Sequence, residues 1–161
     1  MRRLLPAVAL LLALSACGNH DGGYPSQAFT DKATGTCVSA SKAPQKRFPY
    51  PDFNPMKPDV AKLPAIGAFY TANGWPVAHM LQTQLHALGE PDSGRKVWDR
   101  FLAQFDRYIA TYRQQIETAR KSDAKGFTAT AVEFRDMVNG ANAAADKANV
   151  PRCSPFHLGS G

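Results

Sequence analysis

The sequence lacks the short motifs that carry much of enzyme and metal chemistry. It has only three cysteines and four histidines in 161 residues, and they form no CxxC, CxxCH, HExxH or Glu-x-x-His pattern. Their absence argues against a dithiol redox centre, an attached c-type haem and a zinc site of the usual spacing. A GxSxG nucleophile elbow is also missing, which removes the commonest serine hydrolase signature. We therefore expect no catalytic activity.

Long hydrophobic runs and a strongly one-sided charge are missing too. The apolar run Leu4–Leu14 has about 11 residues, fewer than the ~20 that cross a bilayer as a helix. The formal net charge is +6, to which Arg2 and Arg3 contribute two. This mild excess allows a weak attraction to anionic lipid or cell wall. We expect no nucleic-acid partner.

The N-terminus has the order of a secretory signal peptide. Arg2 and Arg3 provide a positive start, the apolar run follows, and two small residues precede Cys17. This order is typical of an export signal that is removed, rather than of a helix in the mature protein. We predict cleavage after residues 1–16, which leaves enough chain for one domain.

The four residues Leu14-Ser15-Ala16-Cys17 resemble the lipobox of bacterial lipoproteins. The resemblance implies that Cys17 becomes the first mature residue and receives a diacylglycerol group, and that its amine is acylated with a fatty acid such as palmitate. Two or more acyl chains anchor a protein stably in a membrane. Gly18, where an Asp would signal inner-membrane retention, implies the outer membrane if the host has two. The alternative is an ordinary secreted protein with Cys17 inside its signal.

The two remaining cysteines, Cys37 and Cys153, fit export to an oxidising compartment. An isolated pair near opposite ends of the domain predicts one disulfide. It would close a loop of more than a hundred residues, worth up to ~4–5 kcal/mol in the chain-entropy model. A catalytic thiol or a metal ligand is the alternative, but no Cys/His spacing supports it.

The segment from residue 17 to 64 has the composition of a lipid-anchored tether or an irregular wrap. Prolines recur throughout it, which predicts that it contains no long helix. The aromatic residues Phe48, Tyr50 and Phe53 are interleaved with these prolines. Two interpretations remain open: an extended chain packed over the helical body, or a recognition strip for a partner.

Residues 65–161 are expected to form a helical bundle domain. Apolar residues at steps of three and four indicate amphipathic helices. They predict a short helix over 65–72, a helix that begins near Pro76 and ends at Gly89, and two longer helices over 93–121 and from about 124 to 148.

The two longer helices carry heptad-like repeats and are separated only by Ser122-Asp123, so they predict an antiparallel hairpin. Aromatic residues dominate the first half of one helix and alanines the second half of the other. Antiparallel packing would let bulky and small side chains interdigitate. No segment indicates a strand. The predicted fold is all-α, with three to four helices, a dominant helical hairpin and an irregular Pro-rich N-terminal wrap.

The hairpin and its tail, residues 93–153, are similar to small exported helical lipoproteins of unknown function, a resemblance that implies no activity. His79, Met80 and His86 are weak candidates for a metal or haem site. His79 and His86 are seven residues apart, ~10 Å along a helix, which is farther than zinc ligands usually lie. Exposed or hydrogen-bonded histidines are the simpler interpretation.

Basic residues on the long helix offer a second candidate surface. Arg100, Arg107 and Arg120 could mark a contact face, or they could be an ordinary solvated surface. The leading hypothesis for function is a lipid-anchored extracytoplasmic interaction module that binds an envelope protein or a cell-wall component. The alternatives are a carrier of a small ligand, metal or haem, and a structural component of an envelope oligomer.

Overall fold

A computed structural model of the chain describes residues 23–42 and 52–155. It confirms the all-α fold, and the described ranges contain no β-strand. Short 3-10 turns lie at Val60–Lys62 and Pro151–Cys153. The α-helices are α1 Gln27–Ser41, α2 Leu63–Ala72, α3 Gly74–Ala87, α4 Arg95–Arg120 and α5 Ala124–Lys147. None of them is long and apolar enough to cross a membrane.

The α4–α5 hairpin is the scaffold of the molecule. The helices have 26 and 24 residues, ~39 and ~36 Å at 1.5 Å per residue. Ser122 takes a left-handed φ of 56° in the turn between them. The Asp123 side chain then accepts a hydrogen bond from the Gly126 amide, at 2.9 Å, and caps α5. This cap satisfies an amide that would have no partner inside the helix. The helix α5 therefore begins directly after the turn and packs back against α4.

The core lies along one face of α4, as the heptad-like spacing predicts. Trp98, Phe101 and Phe105 are almost fully buried, and Tyr108 and Tyr112 continue the row toward the end of α4. The alanines of α5 and its end are buried in the same cluster: Ala141, Ala145 and Ala148. The aromatic rings of α4 and the small residues of α5 therefore belong to one core cluster.

The helices α2 and α3 cover other parts of this face. The rings of Tyr70 in α2 and Tyr112 in α4 contact edge to face, with centroids 5.6 Å apart. A second, smaller core cluster contains Leu63, Ile66 and Phe127 together with Ala119. This cluster joins α2 to the turn end of the hairpin.

The expectation that residues 17–64 contain no long helix is wrong for residues 27–41. These form α1, which begins after Pro25, with Ser26 accepting a hydrogen bond from the Phe29 amide at 3.4 Å. Proline destabilises the interior of a helix but is tolerated before its first turn. The next proline, Pro44, comes after α1 has ended. The ring of Phe29 meets Trp98 edge to face at 4.8 Å, so α1 belongs to the core.

The predicted disulfide is confirmed. Cys37 in α1 is bonded to Cys153 in the last 3-10 turn, and both residues are fully buried. They are 116 residues apart in sequence, with Cα atoms 5.1 Å apart. A crosslink over so long a loop stabilises the fold by ~4–5 kcal/mol in the chain-entropy model. It joins the last part of α1 to the turn that follows α5.

Candidate functional site

A groove of about 360 Å³ lies between the first half of α4 and the second half of α5. Its α5 side is formed by Gly140, Ala143 and Ala144. Residues spaced by three and four share one face of a helix, and these have almost no side chain to fill the space beside α4. A Cβ atom at Gly140 would lie 3.2 Å from Gln104 Oε1, so the Gln104 amide of α4 lies directly beside this glycine.

Three cations line this groove: Arg100 and Arg107 from α4, and Lys147 from the last turn of α5. The two arginines are seven residues apart, which places them on one face about 10 Å apart along the axis. None of the three forms a salt bridge with any residue in 23–42 or 52–155. No acidic side chain lines the groove. It is therefore a concave, positively charged surface that favours an anion.

Two other arginines of α4 are paired with acidic residues. Arg95 pairs with Glu90 at 2.8 Å, and Arg113 pairs with Glu117 at 3.1 Å. Arg120, the third arginine of the predicted contact face, lies at the far end of α4 against Gly67 of α2. The structure thus brings two of the three predicted arginines to one groove. The third lies beside α2 instead, and Lys147 is a residue of the groove that the sequence did not predict.

The N-terminal end of the described chain lies near the same end of the hairpin. The Tyr24 carbonyl accepts a hydrogen bond from Ser93 Oγ at 3.1 Å. Gly94 has a left-handed φ of 67°, and a Cβ there would collide with the backbone of Tyr24 and Pro25. Gly94 is also the residue before α4, and Arg100 follows six residues later, ~9 Å along the helix.

A polar cluster joins α3 to the middle of α4. Gln82 Nε2 donates to Asp106 Oδ1 at 2.8 Å, and His86 Nε2 lies 2.9 and 3.1 Å from the two Asp106 oxygens. No serine, threonine or cysteine side chain hydrogen-bonds to His86 in the part of the chain that the structure describes. The cluster therefore has the geometry of an interhelical tie rather than of an activated nucleophile.

The metal candidates do not converge. His86 contacts Asp106, whereas the ring of His79 stacks on Trp75 at 5.5 Å and Met80 is exposed to solvent. Among residues 23–42 and 52–155, no group of three or more His, Cys, Asp or Glu side chains could hold a metal ion.

Of the three residues of the predicted aromatic strip, only Phe53 lies in the part of the chain that the structure describes. Its ring contacts Tyr70 at 6.3 Å and Phe127 at 6.0 Å, both edge to face, and it packs against the smaller core cluster. For this residue the contacts favour a segment packed over the helical body. Phe48 and Tyr50 lie outside the described residues, as do Cys17 and the signal segment.

Comparison with known proteins adds no relative to this picture. No family model, no curated protein and no solved structure matches the chain.

Proposed function

We propose that the protein is a lipid-anchored extracytoplasmic interaction module of the bacterial envelope, without catalytic activity. The buried Cys37–Cys153 disulfide is the observation that carries this proposal. Structural disulfides persist in the periplasm and at the cell surface and are rare in the cytosol. With two of the three cysteines in the disulfide, Cys17 is left for lipid attachment.

The contact surface of this module is the groove between α4 and α5. Its cations have no acidic partner within the described residues, and its small residues leave room for a bound group. An unneutralised concave positive surface attracts an anionic partner and raises its association rate. An acidic envelope protein or an anionic cell-wall component has the required chemistry.

A second candidate, a carrier of a small anionic ligand, is favoured by the size of the groove. Its volume of about 360 Å³ is at the lower end of the ~300–1,000 Å³ range of small-molecule sites. Native mass spectrometry of the protein purified from its host separates the two candidates. A discrete bound mass that is not a membrane lipid, present in most molecules, supports the carrier, and its absence supports the interaction module.

The anchor is tested by replacing Cys17 with Ser in the host bacterium. For the unaltered protein we expect recovery in the membrane fraction and a denatured mass that begins at Cys17 with added acyl groups. The Cys17→Ser chain should carry no acyl mass, whereas both chains should gain two hydrogens on reduction of Cys37–Cys153. An unaltered protein with a free or absent Cys17 would overturn the proposal.

A further inference from the structure

We propose that the groove between α4 and α5 binds the anionic phosphate headgroup of a lipid in the membrane that anchors the chain. This inference rests on the lipid anchor at Cys17 proposed above and names the ligand of the groove. The occupant would be an acidic phospholipid such as phosphatidylglycerol, with its headgroup in the groove and its acyl chains in the bilayer.

The cations of the groove fit a phosphate group. Arg100, Arg107 and Lys147 are exposed, line the same groove and form no salt bridge in the described ranges. A guanidinium group binds phosphate oxygens through two parallel hydrogen bonds, and a lysine adds a mobile point charge. Asp106 does not neutralise them, because its carboxylate is bonded to Gln82 and His86 of α3.

The floor of the groove fits the part of a phospholipid beside the phosphate. Ala103, Gly140, Ala143 and Ala144 offer methyl groups and backbone rather than charged side chains. Gln104, which also lines the groove, adds an amide. A headgroup with its glycerol backbone presents charge, hydroxyl groups and short apolar segments together, which is the combination that these residues complement.

The point at which the N-terminal segment joins the helical bundle makes a membrane lipid the favoured anion. Cys17 precedes Tyr24 by seven residues, a stretch that spans at most ~25 Å when fully extended. Tyr24 is fixed on Ser93 at the start of α4, only ~9 Å along the helix from Arg100 and ~20 Å from Arg107. An anchor at Cys17 therefore keeps the groove close to the bilayer surface.

This tether also raises the effective concentration of headgroups around the groove. A ligand that shares the membrane with the anchor is presented to the groove without a separate diffusional encounter. An acidic protein or a soluble anion has no such advantage. The groove would orient the hairpin with its α4–α5 face toward the membrane.

The test uses the full lipidated protein, solubilised in a neutral detergent and titrated with phosphatidylglycerol, phosphatidylcholine or inorganic phosphate. Binding is followed by native mass spectrometry. The groove variant carries Arg100→Gln, Arg107→Gln and Lys147→Gln. The matched control carries Lys62→Gln, Lys121→Gln and Lys125→Gln, three exposed cations that do not line the groove. Both variants lose the same net charge.

We expect phosphatidylglycerol to bind the unaltered protein at least tenfold more tightly than phosphatidylcholine. The groove variant should lose about a hundredfold in affinity, roughly fivefold for each of the three cations removed. The control variant should stay within about twofold of the unaltered protein. Ala143→Leu, which fills the groove without changing charge, should weaken binding by about tenfold.

Three results would overturn the inference. They are equal losses in the two triple variants, equal affinities for the two lipids, and displacement of phosphatidylglycerol by an equal concentration of inorganic phosphate. A denatured mass spectrum of the same samples reports the acyl mass at Cys17. Acyl mass without headgroup preference refutes only this inference, whereas an unacylated Cys17 refutes the proposed function.

Discussion

His86 Nε2 lies 2.9 and 3.1 Å from the two carboxylate oxygens of Asp106, so the last turn of α3 is tied to the middle of α4. Both side chains are partly exposed, at 48% and 39%. Solvent screens such a pair, which limits its contribution to stability. The tie nevertheless fixes the rotation of α3 relative to the hairpin, because Gln82, one turn earlier, bonds to the same carboxylate.

We predict a small but measurable coupling between His86 and Asp106. A double-mutant cycle with His86→Ala and Asp106→Ala, measured by urea unfolding, should give a coupling energy of about 0.5–1 kcal/mol. The pair Arg113–Glu117 lies within a single helix and serves as the control. Its coupling should be about 0.3–0.5 kcal/mol. Strict additivity of the two changes at 86 and 106 would mean that the contact does not hold α3.

Removing a buried polar group from the hairpin should stabilise the protein. Gln115 of α4 is only 3% exposed, and its Oε1 atom has no hydrogen-bond partner among the described residues. An unsatisfied buried acceptor costs about 1–3 kcal/mol. We expect Gln115→Leu to raise the free energy of unfolding by about 1 kcal/mol, part of the gain being lost to repacking.

The neighbouring residue provides the control for this change. Gln114 is exposed on the same helix, so Gln114→Leu should change the free energy of unfolding by no more than about 0.5 kcal/mol. Thermal and urea unfolding of both variants check the difference. A destabilised Gln115→Leu protein would indicate that the amide is satisfied, for example by an internal water molecule.

The hairpin could be predicted from the sequence alone because the features that form it are local. Heptad-like spacing, the cap at Asp123 and the turn at Ser122 all lie within a few residues of the structure they produce. The helix α1 was missed since its buried face carries small or polar residues, Thr30, Ala33, Cys37 and Ala40. Such a face lacks the periodic large apolar side chains that reveal an amphipathic helix.

The candidate site was predicted only in part for a related reason. Arg100 and Arg107 stand on one helix, so their common face follows from spacing. Lys147 and the small residues of α5 join them only through the antiparallel packing of two helices. The partners of Asp106, Gln82 and His86, are likewise 24 and 20 residues away, on a different helix. Contacts of this kind depend on the rotation of each helix about its axis, which the pattern of apolar residues fixes only coarsely.

Phe53 should behave as a core residue when it is replaced. Its ring packs on Tyr70 and Phe127, so Phe53→Ala should lower the free energy of unfolding by about 1–3 kcal/mol, less than the ~3–5 kcal/mol of a fully buried Phe. Phe53→Leu, which keeps most of the apolar surface, should lose less than half as much. Urea unfolding measures both variants.

This result bears on the proposed recognition strip. If Phe53→Ala destabilises the fold, a loss of partner binding by this variant in a pull-down does not identify Phe53 as a binding contact. The strip is then better tested by changing Phe48 and Tyr50 alone. A Phe53→Ala protein as stable as the unaltered one would contradict this packing, and Phe53 would again be a candidate for the recognition strip.

Alkaline pH should weaken the fold through Tyr108. Burial raises the pKa of Tyr108 from the ordinary 10.0 to about 12, because the phenolate would lose its hydration inside the core. Above pH 10 the unfolded chain releases this proton while the folded chain keeps it. The stabilisation is therefore complete below pH 10 and is lost as pH rises toward 12.

At pH 11 the loss from this group should be about 1 kcal/mol. The change is isolated by comparing the unaltered protein with Tyr108→Phe, in which the titrating hydroxyl is absent and the ring is kept. We expect the difference in free energy of unfolding between the two proteins to be constant from pH 7 to 9. It should then shift by about 1 kcal/mol in favour of Tyr108→Phe by pH 11. Parallel curves over the whole range would mean that the Tyr108 hydroxyl reaches solvent, and that the aromatic row of α4 is open to water at its centre.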